Sequence, residues 1–148
     1  MVAFRTATEA DVPDILTLMQ DDALGATREG QDLGHYVDAF RAMVAEGNNH
    51  VIVGVREARV IATYQITFIS GLSLRAARRA QVETVRVASD LRGQGIGALM
   101  IADAEARARA AGCTLLQLTM NKSRTDTARF YQRLGFTPSH IGYKRDLT

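Results

Sequence analysis

The sequence of 148 residues contains no tryptophan, only two prolines and a single cysteine, Cys113. Two prolines are too few for a Pro-rich linker or recognition segment. One cysteine excludes an intrachain disulfide and a Cys-based zinc site, and nothing indicates an oxidising compartment. Because Cys113 follows Ala-Ala-Gly at a predicted helix-to-strand junction, we expect a buried and unreactive thiol.

Long apolar runs are also missing from the chain. No stretch approaches the ~18 apolar residues that a membrane span requires. Arg5, Glu9 and Asp11 precede any apolar run, which argues against a secretory signal. We therefore expect a cytoplasmic protein with no membrane partner.

A strong charge of either sign is absent, since 18 basic and 16 acidic residues leave a net charge of only +2. That surplus does not indicate a nucleic-acid partner, and no basic helix or aromatic-basic interleaving supports one. His35, His50 and His140 are too scattered for a metal-ligand spacing, so we expect no metal. The remaining composition, 47% hydrophobic and 23% charged, is typical of a globular protein, and the length fits one domain over residues 1–148.

Hydrophobic periodicity predicts an α/β (α+β) chain. The short join at residues 56–58 favours an antiparallel hairpin between two strands, and residues 70–80 show no period and are predicted to be a loop. On the strand over residues 81–88, strict alternation would place Glu83, Val85 and Val87 on one face. Helices are predicted at 9–21, 32–45, 96–111 and 125–134, and strands at 2–5, 50–55, 59–68, 81–88, 115–119 and 141–146.

A glycine-rich turn lies between the strand over residues 81–88 and the following helix. It consists of Arg92, Gly93, Gln94, Gly95, Ile96 and Gly97. Such a turn allows close backbone approach, and the helix start offers unpaired amides, so the segment is a candidate phosphate cradle. A tight turn that binds nothing is the plainer alternative. No Gly-Lys-Ser/Thr follows, which excludes a P-loop, and the acidic residue expected about 20 residues after a Rossmann fingerprint is missing.

These residues resemble the GNAT superfamily of N-acetyltransferases, whose signature is Arg or Gln, two residues, Gly, one residue, then Gly or Ala. Arg92, Gly95 and Gly97 fill that signature. The preceding strand, Asn121 and the run over residues 128–136 (ARFYQRLGF) also follow in family order, so the resemblance covers about residues 81–136 with high specificity. Residues 1–80 match only in the order of elements. The resemblance implies the GNAT fold, a mixed central sheet of about six or seven strands flanked by about four helices.

The resemblance also implies an activity, the transfer of an acetyl group from acetyl-CoA to a primary amine of a small molecule or protein. By the same resemblance, the strand backbone at Val85, Arg86 and Val87 would contact pantetheine, and residues 92–97 would hold pyrophosphate. Asn121 would contact the cofactor arm, although an Asn at a strand end is equally often a turn residue.

Acetyl transfer to an amine requires a free amine, a stabilised oxyanion and a protonated leaving thiolate. Glu83 lies where many family members carry a proposed base, and the alternative is a solvent-facing or ion-paired carboxylate. Tyr131 matches the family's general acid in the Phe-Tyr-x-x-Leu-Gly-Phe run, and the alternative is a core aromatic beside Phe130. We expect a main-chain amide of the strand over residues 81–88 to stabilise the oxyanion by a hydrogen bond.

The sequence does not decide which class of amine is the acceptor. Two acids near the first helix favour a cationic amine, whereas Arg75, Arg78 and Arg79 favour an acceptor that bears a carboxylate or phosphonate. A non-catalytic sensor or interaction module that binds acyl-CoA is the alternative function, and a homodimer is the expected assembly. The resemblance places the acceptor among Asp21, Asp22, Tyr36, Phe40, Tyr64 and His140.

Overall fold

The computed structural model describes residues 1–21, 30 and 32–148, and these form a five-stranded sheet with helices on both faces. The strands are β1 (Ala3–Thr6), β2 (Asn49–Arg56), β3 (Arg59–Ile69), β4 (Arg79–Val87) and β5 (Leu115–Leu118). The helices are α1 (Val12–Gln20), α2 (Leu33–Glu46), the single turn α3 (Ser73–Ala76), α4 (Ile96–Ala110) and α5 (Thr125–Arg133), with 3₁₀ turns at Glu9–Asp11 and Ser89–Leu91.

The strand order is β1-β2-β3-β4-β5, with antiparallel pairs from β1 to β4 and a parallel pair between β4 and β5. The predicted hairpin is confirmed as β2 and β3. The sheet of the described residues has five strands rather than six or seven. The strand predicted at 141–146 does not join it, because residues 137–148 are exposed and form no ladder with any described strand.

The core lies in two layers, one on each face of the sheet. α4 covers one face, where Met100 is buried against Ile61 and Ile66. α1 and α2 cover the other, where Ile15 packs beside Val53. Cys113 is buried at the end of α4, as predicted. Within the described part of the chain, no helix is long and apolar enough to cross a membrane.

A β-bulge interrupts β4 at Thr84. Glu83 pairs with Gln65 and Arg86 pairs with Thr63, so two residues of β4 oppose one residue of β3. Thr84 takes a φ of 53°, which is rare for a β-branched residue. The predicted face assignment is therefore wrong. Glu83 lies on the α1 face, while beyond the bulge Val85 and Val87 pack against the α4-side core.

Candidate active site

The open edge of β4 is the first element of the site. β4 and β5 run in parallel register only from Arg79 and Leu115 to Val82 and Leu118. β4 continues for five more residues, to Val87, paired with β3 alone among the described strands. At ~3.3 Å per residue, about 17 Å of strand edge is left to bond a ligand with its backbone.

The glycine-rich turn lies just beyond that edge, at the start of α4. Gly93 and Gly95 have φ values of 78° and 81°, a left-handed conformation that only glycine adopts at no steric cost. Residues 92–95 are exposed, whereas Ile96 is buried and fixes the first turn of α4 in the core. The exposed glycine turn and the first backbone amides of α4 lie together, an arrangement whose dipole and donors suit an anion.

Asp21, at the end of α1, holds the segment that leads into this turn. The Ser89 amide donates to Asp21 Oδ2 at 3.0 Å, and Arg92 Nη2 donates to the Asp21 carbonyl oxygen at 2.7 Å. The hydrogen bond from the Ser89 amide lowers the pKa of the Asp21 carboxyl. The sequence placed Asp21 among the acceptor residues, and the structure shows its carboxylate engaged with the turn.

A cleft of about 260 Å³ joins the open edge to the turn, and it is lined by Val85, Arg86, Val87, Arg92 and Arg124. The structure thus brings four of the predicted cofactor residues to one cavity. Arg124 was missed, although a basic residue directly before α5 was a visible signal. Three guanidinium groups give the cleft a positive lining that suits a diphosphate. Arg86 Nη1 also donates to the Val85 carbonyl at 3.0 Å, next to the bulge.

Tyr131 lies on the inner side of α5, in contact with two other rings. Its ring centroid is 5.1 Å from that of Phe130 and 5.7 Å from that of Phe136, and the residue is 9% exposed. Burial raises the pKa of the phenol, and the positive charges of Arg86 and Arg124 oppose that rise. Tyr131 is therefore a core aromatic whose phenol stays protonated at neutral pH and whose pKa is affected by the charges of two arginines of the cleft.

Glu83 is exposed on the α1 face, among uncharged polar side chains. Gln65, its partner on β3, donates through Nε2 to Asn49 Oδ1 at 2.8 Å. Gln117 Nε2 donates to Gln81 Oε1 at 2.7 Å, which links β5 to β4. Glu83 thus faces a polar floor, defined as Asn49, Gln65, Gln81 and Gln117, on the opposite side of the sheet from Val85 and Val87.

Asn121 belongs to a turn in this structure. Its Oδ1 accepts from the backbone amide of Ser123 at 3.0 Å and from the Ser123 hydroxyl at 2.7 Å. The Arg124 amide donates to the Asn121 carbonyl at 3.0 Å, so the turn also positions Arg124 at the start of α5. Because Oδ1 is engaged with Ser123, a side-chain contact of Asn121 with a cofactor would use its Nδ2 group as the donor.

The predicted acceptor residues do not come together. Tyr64 is buried on the α4 face, where its hydroxyl donates to Asp103, and it is out of reach of an acceptor on the Glu83 side. Phe40 packs in the α1-side core. His140 lies in the exposed C-terminal segment. The Tyr36 hydroxyl accepts from the Gly30 amide at 2.8 Å, and Asp22 lies outside the described residues.

The three arginines before β4 also separate. Arg78 is structural, since its Nε donates to the Ala111 carbonyl and its Nη1 to Ser70 Oγ. Arg75 is exposed in α3, with a φ of 58°. Arg79 shares the α1 face with Glu83 and contacts Gln117 Oε1 at 3.5 Å. Only Arg79 of the three lies on the face that carries Glu83.

A sequence model described as the acetyltransferase (GNAT) family matches residues 14–136. The chain belongs to the GNAT family. It is 29% identical over 143 residues, covering 97% of this chain and 90% of the relative, to an aminoalkylphosphonate N-acetyltransferase from Salmonella typhimurium. The GNAT family and this relative make the chain an N-acetyltransferase of the acyl-CoA-dependent kind.

Solved structures confirm the GNAT fold. A structure described as a transcriptional regulator from Bacillus halodurans is 39% identical, with a TM-score of 0.94 over 99% of this chain and 100% of that one. A structure described as an acetyltransferase from Agrobacterium tumefaciens is 24% identical, with a TM-score of 0.87 over 97% of this chain and 99% of that one.

Acetyl-CoA, the donor that the GNAT family uses, fits the residues present. The open edge of β4 offers backbone groups to an amide-bearing arm, and the left-handed glycines with three arginines offer a cradle to a diphosphate. The bound thioester supplies the activated acetyl group. No cluster of three His, Cys, Asp or Glu residues that could hold a metal occurs in the described ranges.

Proposed function

We propose that this GNAT N-acetyltransferase moves the acetyl group of acetyl-CoA to the primary amine of a small molecule that also bears an anionic group. The observation that carries the proposal is the arrangement around β4. One edge of this strand opens to a positive cleft, and its α1 face presents Glu83 beside a polar floor.

Because of the bulge at Thr84, residues of one strand can contact two reactants on opposite sides of the sheet. Val85 and Val87 line the cleft on the α4 side, and Glu83 points to the other side. An amine that approaches over the polar floor meets the carboxylate of Glu83 at the first residue of the open edge. This separation supports direct transfer, in which acceptor and donor meet at the edge of the sheet.

In the proposed step, Glu83 accepts a proton from the amine while the new carbon–nitrogen bond forms. A main-chain amide of β4 stabilises the negative oxygen that develops, and the carbon–sulfur bond then breaks. Tyr131 donates its proton to the departing thiolate, whose ordinary pKa is near ~8.5. Because burial raises the pKa of Tyr131, the phenol holds its proton at neutral pH.

Arg79 favours an anionic acceptor. It lies four residues before Glu83 on the same face, which puts the two Cα atoms about 13 Å apart. A short molecule with an amine at one end and an anion at the other would span the distance between the carboxylate of Glu83 and the guanidinium of Arg79. The Salmonella relative, described as acting on aminoalkylphosphonates, supports a phosphonate as that anion.

A screen of thiol release from acetyl-CoA tests the acceptor. We expect the largest kcat/KM with aminoalkylphosphonates, lower values with amino alcohols of the same length and the lowest with diamines. Arg79→Gln should raise KM for the phosphonate by about tenfold, the loss of one charge-assisted contact, and leave KM for the amino alcohol unchanged. Arg75→Gln is the matched control. Equal KM changes for both acceptors would refute the assignment of Arg79. No thiol release with any amine, but retained acetyl-CoA binding, would favour a sensor.

The catalytic roles are tested by conservative variants. Tyr131→Phe keeps the packed ring and should lower kcat by ~10²- to 10⁴-fold with cofactor affinity retained. Tyr64→Phe is the control, since it removes a buried hydroxyl on the α4 face of the sheet. Glu83→Gln should lose most rate at pH values where the amine is protonated and recover as pH rises. If Glu83→Gln loses the same fraction of rate at every pH, Glu83 is not the base.

The assignment of residues 92–97 as the diphosphate site is tested by measuring acetyl-CoA binding. Acetyl-CoA should raise the melting temperature of the parent chain, because it binds only the native state. Gly95→Asp should abolish that shift by placing a negative side chain at the diphosphate. Gly112→Asp, which substitutes a glycine of almost the same φ, 79°, at the far end of α4, should keep it. A full shift in Gly95→Asp would show that the diphosphate binds elsewhere.

A further inference from the structure

The polar floor crosses four neighbouring strands on the face of the sheet that carries Glu83. Thr67 on β3 lies opposite Asn49 on one side and opposite Gln81 on the other. Gln81 in turn lies opposite Gln117 on β5. The four side chains of this row are half-buried and uncharged. What they can bind is therefore decided by which atoms, oxygen or N–H, they turn toward a ligand.

Arg79 orients the amides of the floor on β4 and β5. A guanidinium group has donors and no acceptor, so the atom of Gln117 that Arg79 contacts at 3.5 Å is the oxygen, Oε1. Gln117 Nε2 is then left to donate to Gln81 Oε1 at 2.7 Å. With its oxygen engaged, Gln81 presents its Nε2 group, and none of the described residues accepts from that group. This half of the floor ends in a donor.

The half of the floor beside Glu83 has the opposite orientation. Asn49 Oδ1 accepts from Gln65 Nε2 at 2.8 Å and from the Thr67 hydroxyl at 3.1 Å. Asn49 Nδ2 donates to Glu46 Oε2 at 3.4 Å, which keeps the oxygen of Asn49 turned toward Gln65. Because Gln65 uses its Nε2 group in this way, its Oε1 is left for a ligand, and no donor to it occurs in the part of the chain that the structure describes. This half ends in an acceptor, directly opposite Glu83.

The two halves of the floor complement the two ends of a zwitterion. An ammonium group can only donate, so it fits an oxygen, whereas an anion fits N–H groups. The oxygen of Gln65 lies beside the carboxylate of Glu83, and the N–H group of Gln81 follows the guanidinium of Arg79 along β4. Neighbours on one face of a strand are about 6.6 Å apart, so Gln81 lies midway between Arg79 and Glu83. Partial burial strengthens the hydrogen bonds that hold both orientations.

We propose that the polar floor binds a zwitterionic acceptor in one orientation, with its ammonium end on Gln65 beside Glu83 and its anionic end on Gln81 beside Arg79. Gln65 and Gln81 are specificity-determining residues that touch the acceptor. Gln117 is a positioning residue that acts through Gln81. The inference rests on the proposed function, because it concerns the acceptor of that reaction. It adds that uncharged amides, together with the two charged side chains, decide which end of the acceptor reaches the thioester.

Glutamine-to-methionine variants test the two ends, because they remove the amide and keep the length of the side chain. Gln81→Met should raise KM for aminopropylphosphonate about tenfold, the loss of a hydrogen bond to an anion, with kcat and the KM for aminopropanol within about twofold of the parent. Gln65→Met should raise KM for both acceptors alike, because both carry the amine. Gln132→Met, at an exposed position of α5, is the control and should change neither KM. Equal KM changes for the two acceptors in Gln81→Met would overturn the proposal.

A double-mutant cycle tests the positioning role of Gln117. Gln117→Met alone should raise KM for aminopropylphosphonate about fivefold, because the amide of Gln81 can then turn its oxygen toward the anion. In a chain that already carries Gln81→Met, the same change should alter KM by less than about twofold. A fivefold rise in both backgrounds would overturn the positioning role of Gln117.

Ethylphosphonate, which lacks the amine, separates this inference from the proposed function. Calorimetry should show that it binds the parent chain about tenfold more tightly than Gln81→Met and within about twofold of Gln65→Met. No binding to the parent, or equal losses in the two variants, would overturn the proposed orientation. Equal kcat/KM for amines with and without an anion would instead overturn the proposed acceptor class, and the binding of ethylphosphonate would then decide the orientation by itself.

Discussion

Removing or protonating the carboxylate of Asp11 should destabilise the fold by an amount that follows from its hydrogen bonds and its pKa in the folded state. Arg5 donates to both oxygens of Asp11 at 2.7 and 2.9 Å, and the Thr8 amide donates to Oδ2 at 2.7 Å. The side chain of Asp11 is 10% exposed. The hydrogen bonds from Arg5, followed by that of the Thr8 amide, lower the pKa of Asp11 from 3.8 to about 2, against the opposing effect of burial.

The size of the effect follows from this pKa. A fall from 3.8 to about 2 corresponds to about 2 kcal/mol of stability. Because the pKa in the folded state is depressed, this stability is present above about pH 5 and lost as the pH falls through 3.8 toward 2.

Urea unfolding monitored by circular dichroism measures the stability at each pH. At pH 7, Asp11→Asn should lower the urea midpoint by about 1 M, since m is about 2 kcal/mol/M for a chain of this size. It should also flatten the decline in stability between about pH 5 and 2. Asp14→Asn, which removes an exposed carboxylate from the first turn of α1, is the matched control. The reasoning fails if Asp11→Asn and Asp14→Asn unfold at the same midpoint, or if the decline at low pH is unchanged in Asp11→Asn.

Three further substitutions probe packing and positioning. Tyr64→Phe loses a 2.6 Å hydrogen bond to Asp103 and should cost about 1–2 kcal/mol by urea unfolding. Burial raises the pKa of Tyr64, so the variant should also decline less than the parent above pH ~10, and an unchanged alkaline decline would contradict this. Gly54→Ala places a Cβ 2.9 Å from a ring carbon and should cost about 1–3 kcal/mol, whereas Gly71→Ala, with nothing within 4 Å, should stay within about 0.5 kcal/mol. Equal urea midpoints for the two glycine variants would refute the inference that a Cβ at position 54 is crowded by the Phe4 ring. Asp21→Ala should raise KM for acetyl-CoA several-fold and leave kcat unchanged, and a fall in kcat alone would count against a positioning role.

Most regular elements could be predicted because local signals mark them, either an apolar period or a glycine at an end of the element. The helix predicted at 96–111 is Ile96–Ala110, and the hairpin strands predicted at 50–55 and 59–68 are Asn49–Arg56 and Arg59–Ile69. A glycine follows the ends of α2, α4 and α5 within two residues, at Gly47, Gly112 and Gly135, and each has a positive φ. Local sequence determines these features, so one sequence was enough.

The bulge in β4 could not be predicted. Bulges are often marked by a glycine, but here the residue with positive φ is Thr84, between two residues of ordinary strand character. The mismatch arises from pairing with β3, where one residue faces two of β4. Long-range register of this kind has no local signal. The roles of Glu83 and Tyr131 stay predictions for a different reason, because they depend on how the two substrates approach from different sides of the sheet.

The C-terminal segment, residues 137–148, shows a different case, in which a local pattern did not lead to a paired strand. A strand is predicted at 141–146, but the structure shows no regular secondary structure there and no ladder with any described strand. A local pattern reports how a segment could pair, but it carries no information about whether a neighbouring strand is available.

The bulge at Thr84 accommodates one residue more than regular pairing with β3 requires. Side chains in a strand alternate with a period of two, so Glu83 and Val85, two positions apart, would share one face in a regular strand of the same length. A chain lacking Thr84 would regain regular pairing with β3 and make Glu83 and Val85 direct neighbours, which keeps Glu83 on the α1 face and Val85 and Val87 on the α4 side. The arrangement of the site should therefore survive deletion of this one residue, whereas regular pairing at the present length would bring Glu83 and Val85 to the same face.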